Sequence, residues 1–474
     1  MNYRLARILI VALFSIAGLT GFSALLVHDP VADLAMHEPG MDGRPPSLAA
    51  SAEVRIGEFF LGSDGVPSAI RAAWPRFRGA YQDNSSREKV PLSSSFEAGG
   101  PPLLWRVELG EGHAGPAVAN GRVYLLDHDE RRQADALRCL SLDDGREIWR
   151  RWYTVRLKRN HGISRTVPAV NERFAVSIGP GCHVMCVDAG SGELRWGLDL
   201  AERFGTEVPL WYTGQCPLID GDQAVLAPGG TTLLAGVDLA GGQVLWETPN
   251  PGGLSMSHSS IMVMTLGGVR TYVYSAIGGI VGVSAEARDR GRLLWQSKDF
   301  DANVIAPSPV DAGGGRIFQT AGYGAGSIML RVTRTEESFA VQTLYRHRPA
   351  QGFACEQQTP VMFGGHLFGI MPKDGGSLRS ELVCWDPAGK LVWSSGQTRR
   401  FGLGPYLLAD GKLLLLNEDG VLTLAEASVE GFRPLGSAKI LEGPDAWAPM
   451  ALVDGRLLAR DTHQLVCVDL RRKR

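Results

Sequence analysis

The sequence predicts an all-β fold, an eight-bladed β-propeller. Three observations support it: a repeated turn that leads into a tryptophan, a repeated strand opening, and a period of about fifty residues. A propeller is a ring of small antiparallel sheets, the blades, around a central channel. The chain has 474 residues, of which 59 are glycine. This length exceeds that of one ordinary domain, but a turn-rich repeat fold accommodates it.

The first repeated feature is a Trp that follows a turn. In five segments a Gly lies four residues before the Trp, as in "CLSLDDGREIW" and "CVDAGSGELRW". Gly permits the positive φ of a tight hairpin turn, and the Trp then falls at a fixed place in the next strand. We expect the Trp side chains to pack between neighbouring blades. The five pairs are Gly145 and Trp149, Gly192 and Trp196, Gly242 and Trp246, Gly291 and Trp295, and Gly389 and Trp393.

The second repeated feature is a Pro or small residue that opens a strand, followed soon by a turn. Seven segments share it, among them "GPAVANGRVYLL" and "TPVMFGGHLFGI", and "SHSSIMVMTLGGVRTYVYSAI" fits as an eighth. Pro168 and Pro217 lie 49 residues apart, and Pro309 and Pro360 lie 51 apart. That length holds about four short strands, which is the content of one propeller blade.

The way in which the ring closes is also predicted. The last repeat stops at "HQLVCVDL", where the other repeats continue into a turn and a Trp strand. Before the first repeat, "PLLWRVEL" around Trp105 matches the missing strand. We therefore expect this N-terminal strand to complete the last blade, which removes an exposed sheet edge.

The N-terminal region predicts export. Arg4 and Arg7 precede an uncharged apolar stretch, residues 8–27, whose 20 residues suffice to span a bilayer as a helix. We expect a signal anchor over residues 1–27, a linker over 28–73 with a short ordered piece near "AEVRIGEFFLG", and the propeller over 74–474 on the extracytoplasmic, periplasmic side. A cleaved signal peptide is the alternative, although its apolar core is usually shorter.

Polar residues concentrate in the eight connections that should enter the innermost strands. In a propeller these connections meet at one mouth of the channel. Their mixture of aromatic, basic, acidic and amide side chains is typical of a concave binding site. A water-filled polar network with no ligand is the alternative interpretation. The candidate ligand-binding residues are His113, His161, Arg165, Trp211, Tyr212, Gln215, His258, Glu356, Gln357, Gln358, Arg400, Asp445 and Trp447.

Seven cysteines are present, an odd number that leaves at least one unpaired. Four share one position inside a repeated strand and predict small buried apolar side chains: Cys139, Cys186, Cys384 and Cys467. In the mouth connections, Cys216, His258 and Cys355 are candidate ligands for a soft metal such as Zn²⁺, although no compact metal motif accompanies them. A nucleophilic Cys beside a His is a further alternative.

The "D-x-x-x-G-x-x-x-W" units, together with "WPRFRG" at residues 74–79, resemble the PQQ-like β-propeller repeat family of the quinoprotein alcohol dehydrogenase-like superfamily. The resemblance covers roughly residues 74–470. The family includes dehydrogenases that use pyrroloquinoline quinone (PQQ) and also non-enzymatic scaffolds of outer-membrane assembly. Its dehydrogenases carry a disulfide between adjacent cysteines over the quinone, and this chain has no such pair.

Together these features predict a membrane-anchored propeller that works by binding a protein, a peptide or a cell-envelope component at its mouth, rather than by catalysis, and that needs no cofactor. The net charge of −2 gives no global field that would favour nucleic acid. The alternative is a quinone- or metal-dependent oxidoreductase with its site at the same mouth, using PQQ with Ca²⁺.

Overall fold

The repeated hairpins of the sequence form eight antiparallel sheets, each of which is one blade. The computed structural model describes residues 54–158, 160–336 and 338–472. The predicted signal anchor, residues 1–27, lies outside these residues, as does most of the predicted linker. Within the described part of the chain, no helix has the length and apolar character that a bilayer crossing needs.

In blades 1 to 4 the strands follow chain order from the channel outward. They are, for blade 1, β3 (Ala117–Ala119), β4 (Arg122–Asp129), β5 (Ala134–Ser141) and β6 (Glu147–Thr154); for blade 2, β7 (Ala169–Val170), β8 (Phe174–Ile178), β9 (His183–Asp188) and β10 (Leu194–Asp199); for blade 3, β11 (Leu218–Asp220), β12 (Gln223–Leu226), β13 (Thr232–Asp238) and β14 (Val244–Pro249); and for blade 4, β15 (Met262–Leu266), β16 (Val269–Ala276), β17 (Gly279–Ser284) and β18 (Leu293–Ser297).

Blades 5 to 8 repeat this order, except that an earlier strand completes blade 8. They are, for blade 5, β19 (Val310–Asp311), β20 (Arg316–Ala321), β21 (Gly326–Arg334) and β22 (Phe339–His347); for blade 6, β23 (Val361–Phe363), β24 (His366–Ile370), β25 (Leu382–Trp385) and β26 (Leu391–Ser394); for blade 7, β27 (Tyr406–Ala409), β28 (Lys412–Leu416), β29 (Val421–Glu426) and β30 (Pro434–Lys439); and for blade 8, β31 (Ala451–Val453), β32 (Arg456–Arg460), β33 (Gln464–Asp469) and β2 (Leu103–Glu108). A short helix, α1 (Leu200–Phe204), follows β10, and a 3-10 turn (Gly376–Leu378) precedes β25.

The turn glycines and the tryptophans meet between blades, as predicted. All five glycines have φ between 72° and 91°, a region that other residues rarely adopt. A Cβ added to Gly192 would lie 2.6 Å from the Trp149 ring, and one added to Gly242 would lie 2.6 Å from Trp196. The Trp of one blade therefore packs on the turn glycine of the next blade, and this contact sets the spacing between them.

The predicted closure is confirmed. β2 pairs antiparallel with β33, with Trp105 opposite Cys467. The Trp105 indole donates a hydrogen bond to the Leu142 carbonyl oxygen of blade 1 and contacts Gly145 there. The Trp149 indole donates likewise to the Gly190 carbonyl oxygen and the Trp196 indole to that of Leu239, so the closing interface is built like those of blade 1 with blade 2 and of blade 2 with blade 3.

A fifth strand extends blade 1 on its outside. β1 (Phe59–Gly62) pairs with β6, with Phe59 opposite Trp152. It lies within the stretch assigned from the sequence to the linker, inside the piece "AEVRIGEFFLG" that was expected to be ordered. Side-chain packing holds β1 in place, since the Phe59 ring stacks on Trp152 and the Arg151 guanidinium lies over Phe60.

The core consists of seven apolar clusters, each shared between neighbouring blades. The four repeat-position cysteines lie in β5, β9, β25 and β33 and are buried, as predicted from their spacing. All seven cysteines of the chain are buried and unpaired. The blades are thus held together by non-covalent contacts: apolar packing, hydrogen bonds and ion pairs such as that of Arg270 with Asp220.

The channel is crossed by residues 74–88, which we call the channel segment. It bonds to the inner strands, or to the residues next to them, in seven of the eight blades, as far as the described residues show. Arg78, which is buried, contributes most: its guanidinium donates to the carbonyl oxygens of Gln82, Thr359 and Pro360. The other bonds join Trp74 to Val118, Pro75 to Val170, Arg76 to Ile219, Gln82 to Ile261 and Val263, Asn84 to Tyr406 and Leu408, and Glu88 to Asp454.

A buried carboxyl group holds one mouth connection to blade 1. Asp135 on β5 accepts hydrogen bonds from the Tyr153 hydroxyl at 3.1 Å and from the Ser164 hydroxyl at 3.3 Å. Ser164 lies in the connection that enters blade 2. Burial raises the pKa of Asp135 to about 7, although the two hydrogen bonds act in the opposite direction.

The closure strand yields a stability prediction. We expect Trp105→Ala to lower the free energy of unfolding by about 3–5 kcal/mol, because it removes a buried indole and leaves a cavity between blades. Leu104→Ala is the matched control, since Leu104 is on the same strand but 37% exposed. Urea denaturation measures both. Equal losses for the two variants would contradict the closure role of Trp105.

The buried Asp135 yields a pH prediction. The Asp135 carboxyl has a pKa near its ordinary 3.8 in the unfolded chain and about 7 in the folded protein. Between these pH values the folded protein therefore binds one more proton than the unfolded chain. Stability contributed by this group is therefore fully present below the lower pKa and is lost as the pH rises through the higher one. Asp135→Asn removes this titration. As the pH rises from 4 to 8, we therefore expect the free energy of unfolding of the variant to increase by roughly 3–4 kcal/mol relative to that of wild type.

Urea denaturation of both proteins across this pH range checks the prediction. Asp222→Asn is the control, because it makes the same change at an exposed position. If the stability difference between wild type and Asp135→Asn is the same at pH 4 and pH 8, the buried titration does not occur.

Candidate functional site

The mouth of the channel holds a pocket of about 820 Å³, part of it open to solvent. Strand direction explains why it forms there: each outer strand runs up to the mouth face, and the connection from it leads into the next inner strand. The turns between the second and third strands of the blades reach the same face. The pocket is lined by Phe77, His113, Arg165, Trp211, Gly214, Cys216, His258, Val304, Ala306, Tyr323, Glu356, Gln357, Gln358, Trp447 and Pro449.

Eight of the thirteen candidate ligand-binding residues line this pocket. They come from six of the eight mouth connections, so residues far apart in sequence are brought together by the ring. The eight are His113, Arg165, Trp211, His258, Glu356, Gln357, Gln358 and Trp447. Of these, Gln358 also has a structural role, since its amide donates to the carbonyl oxygens of Leu403 and Trp447 and so joins blades 6, 7 and 8.

Three candidate residues form hydrogen bonds elsewhere and do not line this pocket. The Gln215 side chain is fully buried in blade 3, where it donates to the Ala227 carbonyl oxygen and accepts from the Ala227 N–H. The Tyr212 hydroxyl donates to the Lys158 carbonyl oxygen. The Arg400 guanidinium donates to the carbonyl oxygens of Gln397 and Arg379.

His161 and Asp445 also lie outside the pocket lining. Both have positive φ, 34° and 59°. The His161 carbonyl oxygen accepts a hydrogen bond of 2.9 Å from Arg165, so this residue contributes through its backbone. Burial raises the pKa of Asp445, and the nearby carboxylate of Glu418 raises it further.

The candidate metal ligands are not brought together. Cys216 and His258 line the pocket, but Cys355 is buried in an apolar cluster, 3.9 Å from the Tyr406 hydroxyl. In the described ranges there is no group of three His, Cys, Asp or Glu side chains that could hold a metal ion. Burial raises the pKa of Cys216 to about 11 and that of Cys355 to about 12. Both thiols are therefore protonated at neutral pH, which argues against a nucleophilic role.

Two important lining residues were missed from the sequence. Phe77 belongs to the channel segment, which bonds to the inner strands below the mouth connections and so forms the floor of the pocket. Tyr323, 61% exposed, lies at the tip of the turn between β20 and β21. That turn is rich in glycine, "GYGAGS", but only its position in the strand order shows that it reaches the mouth.

Aromatic rings form the walls. The Trp211 ring lies 5.5 Å from the Tyr323 ring and 6.4 Å from the His258 ring, centroid to centroid. Across the pocket His113 stacks on Trp447 at 5.0 Å. Such walls bind flat or apolar groups by burial and stacking.

Arg165 supplies the positive charge. Its guanidinium donates to the carbonyl oxygens of His161 and Asn160, and its Nε is buried with no hydrogen-bond partner. Within residues 54–158, 160–336 and 338–472 it forms no ion pair. Burial lowers its pKa to about 10, so the group remains charged at neutral pH.

The two pocket histidines are neutral at neutral pH. Burial, followed by the charge of Arg165, lowers the pKa of His113 to about 3 and that of His258 to about 4. Burial raises the pKa of Glu356, while a backbone N–H of Lys373 opposes the shift. The pocket is therefore an aromatic cavity with one unpaired cation, a chemistry suited to binding an anionic or polar ligand.

Comparisons with known proteins agree with the fold. A family model described as outer membrane protein assembly factor BamB matches residues 133–380. BamB from Moraxella catarrhalis superposes with a TM-score of 0.52 and 12% identity, covering 78% of this chain and 99% of that one. Quinohemoprotein alcohol dehydrogenase from Comamonas testosteroni superposes with a TM-score of 0.58 and 12% identity, covering 85% of this chain and 81% of that one. A europium-containing methanol dehydrogenase superposes with a TM-score of 0.57 and 12% identity, covering 84% of this chain and 89% of that one.

At such low identity the solved structures establish the fold alone, and a search of curated protein sequences finds no match. The family model is the stronger finding, because it covers more than half of the chain. The chain is a PQQ-like β-propeller, and it belongs to the family of the outer membrane protein assembly factor BamB.

Proposed function

We propose that the protein is a membrane-anchored, extracytoplasmic binding module whose mouth pocket receives a protein or peptide partner. The observation that carries this proposal is the pocket itself, with aromatic walls, a floor formed by Phe77, and the unpaired charge of Arg165. The family description names a factor in outer-membrane protein assembly, which supports a polypeptide of the cell envelope as the partner class.

The oxidoreductase alternative has less support. The aromatic walls and Arg165 would suit a flat carboxylated quinone, but a calcium ion beside it needs several oxygen ligands. Glu356 is the only carboxylate among the described residues that line the pocket. A quinone site with a resident Ca²⁺ therefore does not fit these residues, and we derive no reaction through it.

The binding proposal predicts where a partner can be trapped. A photoreactive phenylalanine analogue in place of Tyr323, which is exposed on the pocket rim, should crosslink to a polypeptide in intact cells. The same analogue at Val66, which is 71% exposed outside the pocket, is the matched control. Adding Trp211→Ala should reduce the Tyr323 adduct at least about five-fold, because one aromatic wall is lost.

Mass spectrometry of the adducts checks this prediction. Adducts at Val66 with none at Tyr323 would place the working surface elsewhere. A quinone absorbance band and dye reduction, after PQQ and Ca²⁺ are added to pure protein, would instead favour the enzyme.

The anchor proposal has its own test. If residues 8–27 remain in the protein as a transmembrane helix, the mature chain should begin at or next to Met1 and fractionate with membranes. Replacing residues 1–27 with a cleavable signal peptide should release the propeller into the soluble periplasmic fraction. N-terminal sequencing decides: a mature chain that begins near Ala24 or His28 contradicts the anchor.

A further inference from the structure

The floor of the pocket limits what can enter it. The channel segment bonds to seven of the eight blades, so an extended chain cannot pass through the channel at this level. Phe77 of that segment lines the pocket from below. The occupant must therefore present an end or a single side chain to the floor, since it has no exit on the far side.

The charge of the pocket points to one negative group on the ligand. Arg165 is held in place by its own connection, in which the Ser164 carbonyl oxygen accepts from the His113 N–H at 2.7 Å. Both hydrogen bonds of the guanidinium use the same Nη2, and no carboxylate among the described residues pairs with it, so its Nη1 remains a donor for a ligand. A carboxylate matches the planar fork of a guanidinium through two parallel hydrogen bonds.

The remaining lining residues disfavour a more highly charged ligand. His113 and His258 are neutral, so they add no positive charge that a phosphate dianion would need. Glu356 faces the same space and would repel a second negative charge.

We propose that the pocket binds the free carboxyl terminus of a polypeptide whose last side chain is aromatic or apolar. The terminal carboxylate pairs with Arg165, and the last side chain lies between the rings of Trp211, Tyr323 and Trp447, above Phe77. This inference rests on the proposed binding function and specifies the part of the partner that is recognised.

A pair of peptides tests the proposal on the purified propeller. The probe is a short Gly-Ser peptide that ends in Phe, labelled with fluorescein at its N-terminus, with either a free carboxylate or a terminal amide. Fluorescence anisotropy should show the acid binding at least about ten-fold more tightly than the amide, because the charge-assisted pair with Arg165 is lost in the amide.

Variants assign this difference to a residue. Arg165→Gln should abolish the preference for the acid, and Arg165→Lys should keep part of it, because Lys retains the charge but loses the planar fork. Arg400→Gln is the matched control, since Arg400 lies in another mouth connection and outside the pocket. Circular dichroism verifies that each variant is folded, and the acid-to-amide comparison on the wild type needs no variant.

The outcomes separate this inference from the proposed function. Equal binding of acid and amide overturns the inference, as does binding of neither peptide while the Tyr323 adduct still forms. In both cases the mouth remains a binding site. If N-acetyl-phenylalanine competes as well as unlabelled peptide acid, the ligand is a small aromatic acid, and the polypeptide part of the inference fails. Absence of peptide binding together with absence of the adduct overturns both proposals.

Discussion

The inner edge of each blade carries backbone groups that face the channel, and the channel segment, residues 74–88, pairs many of them. An unpaired strand edge in a water-filled channel is tolerable, but here the chain fills it with its own backbone and with the buried guanidinium of Arg78. The mouth site depends on this pairing. Without the segment, the walls of the pocket would surround an open channel instead of a closed cavity.

The contact between a Trp and the turn glycine of the next blade arranges the outer part of the ring. This contact varies around the ring. Blade 5 lacks the Trp, and there Tyr345 and His347 lie against Gly389 of blade 6. The seven apolar clusters between blades make each interface a local core. Since β2 places Trp105 on Gly145 in the same way, the closing interface is chemically like the others. Each mouth connection therefore joins two blades that pack against each other.

The sequence was sufficient for the fold because its signals are local and repeated. In five units a Gly four residues before a Trp fixes a turn and a strand position, and eight repeated strand openings leave few arrangements other than a ring. The functional site was harder to predict from the sequence than the fold. Reasoning from the connections found His113, Arg165 and Trp211, but it could not show that Gln215 turns inward to Ala227, because side-chain direction depends on packing. Phe77 and Tyr323 were missed since they belong to segments other than the connections.

The channel segment and β2 share one further property, their distance along the chain from their partners. Glu88 bonds to Asp454, 366 residues later. Such non-local pairing gives the protein a high contact order, which slows folding. During synthesis these early segments emerge first and wait for the last blade before they can pair. A chain that ended in blade 7 would carry both an open ring and a Trp105 strand without its partner, so its apolar interfaces stay exposed until blade 8 is complete.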